Sequence, residues 1–282
     1  MQFHAKHSIL NDIKEYLKNE CNENNLNHAS ADVYVGVHEW VFDPIKNDRL
    51  NIGIQTEHFT DYCARKLPSN RSFFYKLSIL LKYDLILDIN ENNGSSYGIL
   101  RTLFKKKLIL GPYILPVKKI KYIPSGNRFA LLSNTPEIYE RMPKGIVSNT
   151  DIIKGLSWHE AIFWYENCKA IINLHRFDGI YTEWPRFIMA MLAGKVLYSE
   201  PLSPPLVAGV HYVPLNEDLN NYNLDSIYEN NMKIMERYSL MKFVNISLHE
   251  SLNTKSSTRR LRIKTYNFLI RIFRALILER PR

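Results

Sequence analysis

The sequence predicts an α/β protein with two lobes, each built on a parallel sheet, and a helical C-terminus. Short apolar runs rich in β-branched residues alternate with amphipathic stretches of helical length, a pattern typical of parallel sheets. A stretch rich in proline and lysine, residues 111–126, interrupts the alternation and has the composition of a linker. We therefore expect an N-terminal domain at residues 1–118 and a C-terminal domain at residues 119–282, with enough chain for two modest cores.

The first domain begins with a helix and continues with strands and helices in turn. Helical spacing of apolar residues covers Ser8–Glu20 and Arg71–Lys82. Short apolar runs predict strands at Val33–Val37, Asn51–Gln55, Asp84–Asp88 and Leu108–Leu110. The region before Ala31 is short, so a strand that precedes these is expected only if Met1–His4 supplies it.

The second domain contains a further series of the same kind. Its predicted strands are Arg128–Leu132, Ile146–Val147, Ala170–Leu174 and Val196–Tyr198. Helices are predicted at Pro136–Met142 and Ser157–Cys168. A third helix follows Thr182, a suitable N-cap, and it has Pro185 in its first turn and Gly194 at its end.

Polar residues gather after the strands of the second domain. In open α/β sheets ligands bind at the carboxyl ends of the strands, so these residues are the candidate ligand site. They come from three strand ends and from the start of one helix: Asn134, His175, Arg176, Glu183, Arg186, Glu200 and Ser203.

The order of motifs in this region resembles that of a known family. The chain reads N-L-H at 173–175, E-W-P-R at 183–186, A-M-L-A-G at 190–194, S-E at 199–200 and G-V-H-Y-V at 209–213. This order is similar to the donor-binding half of GT-B glycosyltransferases, in the bacterial branch that builds surface polysaccharides. The resemblance covers about residues 30–215. It implies two Rossmann-like lobes and transfer of a sugar from a nucleotide-sugar donor to a glycan or lipid-linked acceptor.

The resemblance also implies roles for the candidate donor-binding residues. Arg176 and Arg186 suit the diphosphate, because arginine recognises phosphate oxygens through paired donors. Glu183 suits the hydroxyls of the donor sugar. The second glutamate of many retaining members would fall at 189–191, where this chain has none, so Glu200 is the candidate for the ribose.

Other interpretations of these residues stay open. Glu183 and Arg186 are one helical turn apart and could pair only with each other. Glu200 could be a solvated acid and His175 an ordinary buried histidine, although His175 could also contact phosphate or sugar. Ser203 could contact the diphosphate. Asn134 could bind donor or acceptor, or could simply cap the following helix.

An inverting transferase also needs a base for the acceptor hydroxyl, and the first domain offers candidates. Two of its predicted strands end in an acid–histidine pair, at 38–39 and at 57–58. We expect Glu57 to be the base, with His38 and Glu39 as the next candidates. If the enzyme retains configuration, no base is needed and these residues would position the acceptor.

The sequence predicts no cofactor and no metal requirement. It contains no D-x-D motif, which holds a divalent cation on the diphosphate in the other large glycosyltransferase fold. Its three cysteines are far apart and show no C-x-x-C spacing, which suits a reducing cytoplasm. No apolar run is long enough to span a membrane.

The C-terminus carries most of the net charge. Helical stretches are predicted at 224–238, 240–251 and 257–278, and residues 255–282 contain nine basic residues and one acid, a net of +8 in a chain of net +9. Such a helix could lie on the anionic inner face of the cell membrane or could pack across the protein with its basic side in water. Nucleic acid is the least favoured partner, because no nucleic-acid-binding signature accompanies the tail.

Two other functions stay open at this stage. The chain could be a nucleotide- or glycan-binding module without catalysis, which the missing helix glutamate favours. It could also be a scaffold that docks on the membrane through its basic tail. We expect a cytoplasmic glycosyltransferase in preference to both.

Overall fold

The computed structural model describes residues 1–6, 8–26, 30–40, 43–45, 49–57, 69–133, 141–175, 180–253, 259–268 and 270. The chain divides into two compact units, of which the first is Met1–Ile114 with Leu240–Arg282 and the second is Leu115–Ser239. Each unit contains one five-stranded sheet whose pairings are all parallel. The α/β prediction is therefore confirmed, and each unit is described by itself.

The first sheet keeps its strands in chain order, β1-β2-β3-β4-β5. The strands are β1 (Gln2–His4), β2 (Ala31–Val35), β3 (Leu50–Gln55), β4 (Leu85–Asp88) and β5 (Leu108–Leu110). The helices between them are α1 (Ser8–Glu23), α2 (Ser69–Lys82), α3 (Asn93–Ser96) and α4 (Ile99–Leu103). The N-terminal residues thus supply the first strand, in parallel pairing with β2.

The core of this unit follows from its uninterrupted apolar strands. Val33, Ile52 and Ile54 are fully buried, as expected of parallel strands that are covered on both faces. Helix α2 adds Ile79 and Leu80 to a cluster that includes Leu100 of α4. Since apolar burial stabilises by about 25 cal/mol per Å² removed from water, this cluster holds α2 and α4 together.

The second sheet has the strand order β10-β9-β8-β6-β7. Its strands are β6 (Phe129–Leu132), β7 (Thr150–Ile153), β8 (Ala170–Asn173), β9 (Leu197–Ser199) and β10 (Val213–Pro214). Its helices are α5 (Lys144–Val147), α6 (Trp158–Glu166), α7 (Trp184–Leu192) and α8 (Leu224–Arg237). After β7 the chain crosses to the other side of β6, so the strand order reverses between β6 and β8.

Local sequence explains the helix boundaries in this unit. Ser157 and Glu160 form a reciprocal capping box at the start of α6. Gly194 has a φ of +67° just after α7, and a Cβ there would lie 2.6 Å from the Lys121 carbonyl oxygen, so glycine ends this helix as expected. Thr182 is not the N-cap that we expected, because Glu183 occupies that position.

One predicted strand is wrong. Ile146 and Val147 lie in the short helix α5, and the strand β7 follows at Thr150–Ile153. Two consecutive β-branched residues are too short a signal to separate strand from helix, whereas Thr150–Ile153 pairs along the whole of β6. The predicted helix Pro136–Met142 lies almost wholly outside the described residues.

The chain after the second unit returns to the first one. Helix α9 (Leu240–Asn253) and the helical residues 259–268 group with the N-terminal sheet, whereas the sequence placed all of 119–282 in one domain. The physical reason is a set of contacts with the amino end of β4, where Arg259 Nε and Arg262 Nη2 lie 3.2 and 2.7 Å from Asp84 Oδ1.

The terminal helical residues also bury apolar side chains. Tyr266 and Ile270 are 1% and 4% exposed and form a cluster with Ile45. The described part of the basic tail therefore packs on the first unit, with Arg259 and Arg262 turned toward Asp84 and not toward water. None of the helices in the described part of the chain is both long and apolar enough to cross a bilayer.

Candidate functional site

The reversal of strand order in the second sheet defines the candidate site. The carboxyl ends of β6 and β8 are neighbours there, and the strands that follow them, β7 and β9, lie on opposite sides, an order that places a crevice in sheets of this type. The described strands of the first sheet follow one another in chain order, without such a switch point among them. The geometry of the second sheet therefore favours a ligand at the carboxyl ends of β6, β8 and β9.

Arg186, in the first turn of α7, joins the ends of β6 and β8. Its Nη1 donates to Asn173 Oδ1 at 2.5 Å and to the Leu174 carbonyl at 3.1 Å, and its Nη2 lies 3.4 Å from the Leu132 carbonyl. The residue is 8% exposed. Since both terminal nitrogens already bind protein acceptors, Arg186 holds the two strand ends together.

Glu183 is positioned by the same arginine. Its Oε2 lies 2.9 Å from Arg186 Nη2, and its side chain is 27% exposed. The carboxylate therefore has one oxygen fixed by a buried cation while the side chain still reaches solvent. The helix start is anchored further because Thr182 Oγ1 and Ser203 Oγ, both buried, are 3.0 Å apart.

Glu200, just after β9, is the centre of a second charged pair. Its Oε1 accepts from Arg141 Nη2 at 2.6 Å, and its Oε2 accepts from the His175 backbone N–H at 2.6 Å. Arg141 Nη1 also donates to the His175 carbonyl at 2.9 Å. The His175 ring is 1% exposed and stacks on Tyr181 with centroids 4.1 Å apart. Glu200 is thus a paired acid that fixes the backbone after β8.

Sequence reasoning missed Arg141. It lies nine residues beyond the end of β6, within the predicted helix Pro136–Met142, and the sequence does not show where that segment meets the sheet. The available signal was weak: Arg141 is the one basic residue between Arg128 and Lys144. Its side chain is 33% exposed, whereas that of Arg186 is 10% exposed, so Arg141 is the arginine of this edge that solvent reaches more readily.

The structure brings five of the seven predicted donor-binding residues to one sheet edge. These are His175, Glu183, Arg186, Glu200 and Ser203. Asn134 and Arg176 lie outside the described residues, and the roles of all seven stay predictions. Among the described residues, no group of three or more His, Cys, Asp or Glu side chains could hold a metal ion.

The predicted catalytic residues follow β2 and β3 of the first sheet. His38 and Glu39 lie in a 3-10 turn after β2, with His38 Nε2 3.4 Å from Glu39 Oε1. Glu57 is exposed, two residues after β3, and its carbonyl accepts from Asn93 Nδ2 at 2.9 Å. These residues share the carboxyl edge of adjacent strands, and their catalytic roles stay predictions.

Asp88, at the carboxyl end of β4, organises this second edge. It is fully buried and accepts from the Asn90 backbone N–H at 3.0 Å, from Asn93 Nδ2 at 3.0 Å and from the Tyr97 hydroxyl at 2.9 Å. Burial raises the pKa of its carboxyl to about 7, although the three hydrogen bonds act in the opposite direction. Because Asn93 also binds the Glu57 carbonyl, Asp88 indirectly fixes the backbone at Glu57.

Comparisons with known proteins add little to this geometry. No protein-family model matches the chain, and no curated protein matches its sequence. Among solved structures, the chain is similar to TarM, with 11% identity and a TM-score of 0.35. The match covers 95% of this chain and 58% of that one, so the chain spans little more than half of TarM. Similarity at this level carries no argument about fold or function, and the α/β assignment rests on the strand pairings.

Proposed function

We propose that the chain is a glycosyltransferase that binds a nucleotide-sugar at the carboxyl edge of the second sheet. One observation carries the proposal: two carboxylate–arginine pairs, Glu183–Arg186 and Glu200–Arg141, flank the switch point between β6 and β8. Nucleotide-sugars combine an anionic diphosphate with sugar and ribose hydroxyls, so they require cations and hydrogen-bond acceptors side by side. The order of the motifs in residues 173–213 favours the same function.

The two arginines have different proposed roles. Arg186 is buried and both of its terminal nitrogens bind protein acceptors, so its proposed role is that of a positioning residue that presents Glu183 to a sugar hydroxyl. Arg141 is more exposed and reaches the same edge, so it replaces Arg186 as the proposed contact for the diphosphate. Glu200 orients Arg141 and is the proposed partner of the ribose.

The proposed reaction breaks the bond between the anomeric carbon and the diphosphate oxygen, and it forms a bond from that carbon to an acceptor oxygen. The nucleoside diphosphate leaves with its electron pair, stabilised by the cations of the site. In an inverting mechanism the acceptor proton passes to a base, for which Glu57 is the proposed residue. We propose a glycan or lipid-linked acceptor of a bacterial surface polysaccharide, in line with the sequence resemblance.

Ligand binding to matched arginine variants tests the donor site. A nucleoside diphosphate that binds should raise the thermal unfolding midpoint of the wild type, since a ligand at about 100 times its Kd stabilises by about 2.7 kcal/mol. Arg141→Gln should abolish most of this shift. Arg128→Gln should keep it, because Arg128 makes a similar pair with Asp151 at the opposite, amino end of the sheet. Equal shifts in both variants would contradict the proposed site.

Sugar transfer tests the enzyme separately from the binding site. Purified wild type should release nucleoside diphosphate from one member of a panel of nucleotide-sugars, and Glu183→Gln should lower that rate at least about 100-fold, as loss of a transition-state contact does. The second candidate function, a binding module without catalysis, is favoured by the buried Met189–Met191 segment, which offers no second carboxylate. Tight nucleotide binding without turnover on any donor would support that module instead.

A further inference from the structure

Helix α4 of the first unit has apolar side chains on two faces. Leu100 is 1% exposed and packs in the core with Phe104 against it. Ile99 and Leu103, one turn apart on an adjacent side of the helix, are each 68% exposed. A helix on the surface of a globular protein ordinarily carries polar residues on its outer face. The exposed side of α4 is therefore unusually apolar for a surface helix. Removal of Ile99 and Leu103 from water would be favourable.

Helix α2 of the same unit adds another exposed apolar side chain. Phe73 on α2 is 45% exposed. It lies one turn before Lys76, whose Nζ donates to the carbonyl of Ser96, three residues before Ile99. Single exposed apolar side chains are common, but a group of them beside one another marks an interaction surface.

The charged residues that flank α4 between residues 92 and 114 are all basic. Residues 92–114 contain four basic residues and no acid. Arg101 lies within α4, and Lys105 and Lys106 follow it; all three are exposed. Lys107 is committed to the core, where its Nζ donates to the Tyr83 carbonyl at 3.0 Å. Three exposed cations thus lie within three residues, along the chain, of at least one of the two exposed aliphatic side chains.

From this combination we infer that α4 is a docking surface for an anionic lipid membrane, with Ile99 and Leu103 inserted among the acyl chains and Arg101, Lys105 and Lys106 at the headgroups. Interfacial helices bind membranes in this way, through a few apolar side chains and adjacent basic ones. A folded acidic protein fits less well, since a stable protein interface needs about 800 Å² per partner and good shape complementarity. A bilayer needs neither.

The inference differs from the membrane contact that the sequence suggested for the basic tail. In the described residues 259–268, Arg259 and Arg262 pair with Asp84, and Tyr266 is buried. Helix α4 makes its inward contacts with Leu100 and Phe104 and still presents a second apolar face. The inference does not depend on the proposed transfer reaction.

Vesicle sedimentation with the full chain tests the surface. The wild type should bind phosphatidylcholine vesicles only when they contain about one-third phosphatidylglycerol. Lys105→Gln/Lys106→Gln should weaken this binding roughly 30-fold, because each basic residue near an anionic surface contributes about 1 kcal/mol. Leu103→Ser should weaken it about tenfold through the loss of inserted apolar area. Thermal midpoints should stay unchanged, since all three side chains are exposed.

Matched variants elsewhere make the test specific. Lys118→Gln/Lys121→Gln removes the same charge from exposed positions of the second unit, and Phe163→Ser removes a side chain that is 65% exposed on α6. Both should bind like the wild type. The inference fails if these controls lose as much binding as the α4 variants, or if the chain binds no anionic vesicle. It fails equally if Arg260→Gln/Lys264→Gln in the terminal helix abolishes binding while the α4 variants retain it.

Discussion

Replacement of Arg186 by methionine separates a structural role from a ligand-binding one. The change keeps much of the side-chain volume but removes the donors that reach Asn173 Oδ1 and the Leu174 carbonyl. Each buried acceptor left without a donor costs about 1–3 kcal/mol, and Glu183 also loses its cation. We therefore expect Arg186→Met to lower the free energy of unfolding of the second unit by about 3–5 kcal/mol.

Urea unfolding followed by tryptophan fluorescence measures this loss. Three of the four tryptophans, Trp158, Trp164 and Trp184, belong to the second unit, so the signal reports mainly on that unit. With a slope of about 2 kcal/mol per M, the midpoint should fall by about 2 M.

Arg128→Met is the matched control for this measurement. It breaks an ion pair whose two side chains are each 43% exposed, and it should cost less than about 1 kcal/mol. The reasoning is refuted if Arg186→Met unfolds like the control while its nucleotide affinity falls steeply. That result would make Arg186 a ligand contact and not a link between strand ends.

Three further predictions concern pH and backbone geometry. Burial raises the pKa of Asp88 to about 7, so the native state binds this proton more tightly than the unfolded state does. The free energy of unfolding should therefore fall by up to about 4 kcal/mol as pH rises from about 4 to 7. Asp88→Asn should flatten that fall in urea unfolding. Burial lowers the pKa of Lys107 to about 7, so the native state binds that proton less tightly and stability rises from pH 7 toward pH 10, a rise that Lys107→Met should remove. Gly126→Ala should cost more than about 3 kcal/mol, because φ is +73° and a Cβ would lie 2.1 Å from the Asn167 carbonyl oxygen; Gly155→Ala, at φ +69° in open space, should cost about 1 kcal/mol.

Each of these has a contrary outcome. A stability difference between wild type and Asp88→Asn that does not change with pH would mean that this carboxyl keeps an ordinary pKa. The same result for Lys107→Met between pH 7 and 10 would argue against its burial as the cause. Equal losses for the two alanine variants would show that the positive φ alone, and not the approach of another backbone, selects glycine at position 126.

The sequence predicts most strands of both sheets because buried parallel strands appear as uninterrupted apolar runs. The strand Ala170–Asn173 lies in such a run. Strand boundaries depend on pairing partners that the sequence does not show, which is why the pattern at Ile146 and Val147 wrongly predicts a strand. Thr182 is a residue type that commonly caps helices, but its hydroxyl forms a hydrogen bond with the Ser203 hydroxyl. That contact exists only in the folded chain.

The candidate site is likewise predictable from the sequence only in part. Residue type and position after a strand are visible in the sequence, so His175, Glu183 and Glu200 could be expected at one edge. Orientation is not visible. Arg186 could have pointed outward to a ligand, but it turns inward and binds the ends of β6 and β8. Arg141 could not be predicted, since the sequence does not show that its guanidinium pairs with Glu200 in the folded chain.

The two ends of the second unit lie beside each other, where Leu115 and Ser239 form a bridge and the Leu115 N–H donates to the Tyr238 carbonyl. That unit is thus a continuous insert in the first. During synthesis on the ribosome, all residues of the insert are available once residue 239 emerges. Arg259 and Arg262, which pair with Asp84, have not yet been made at that point. The first unit therefore begins to form first and is completed last. A nascent chain stalled before residue 259 would leave the buried Asp84 carboxylate, at the amino end of β4, without these two cations.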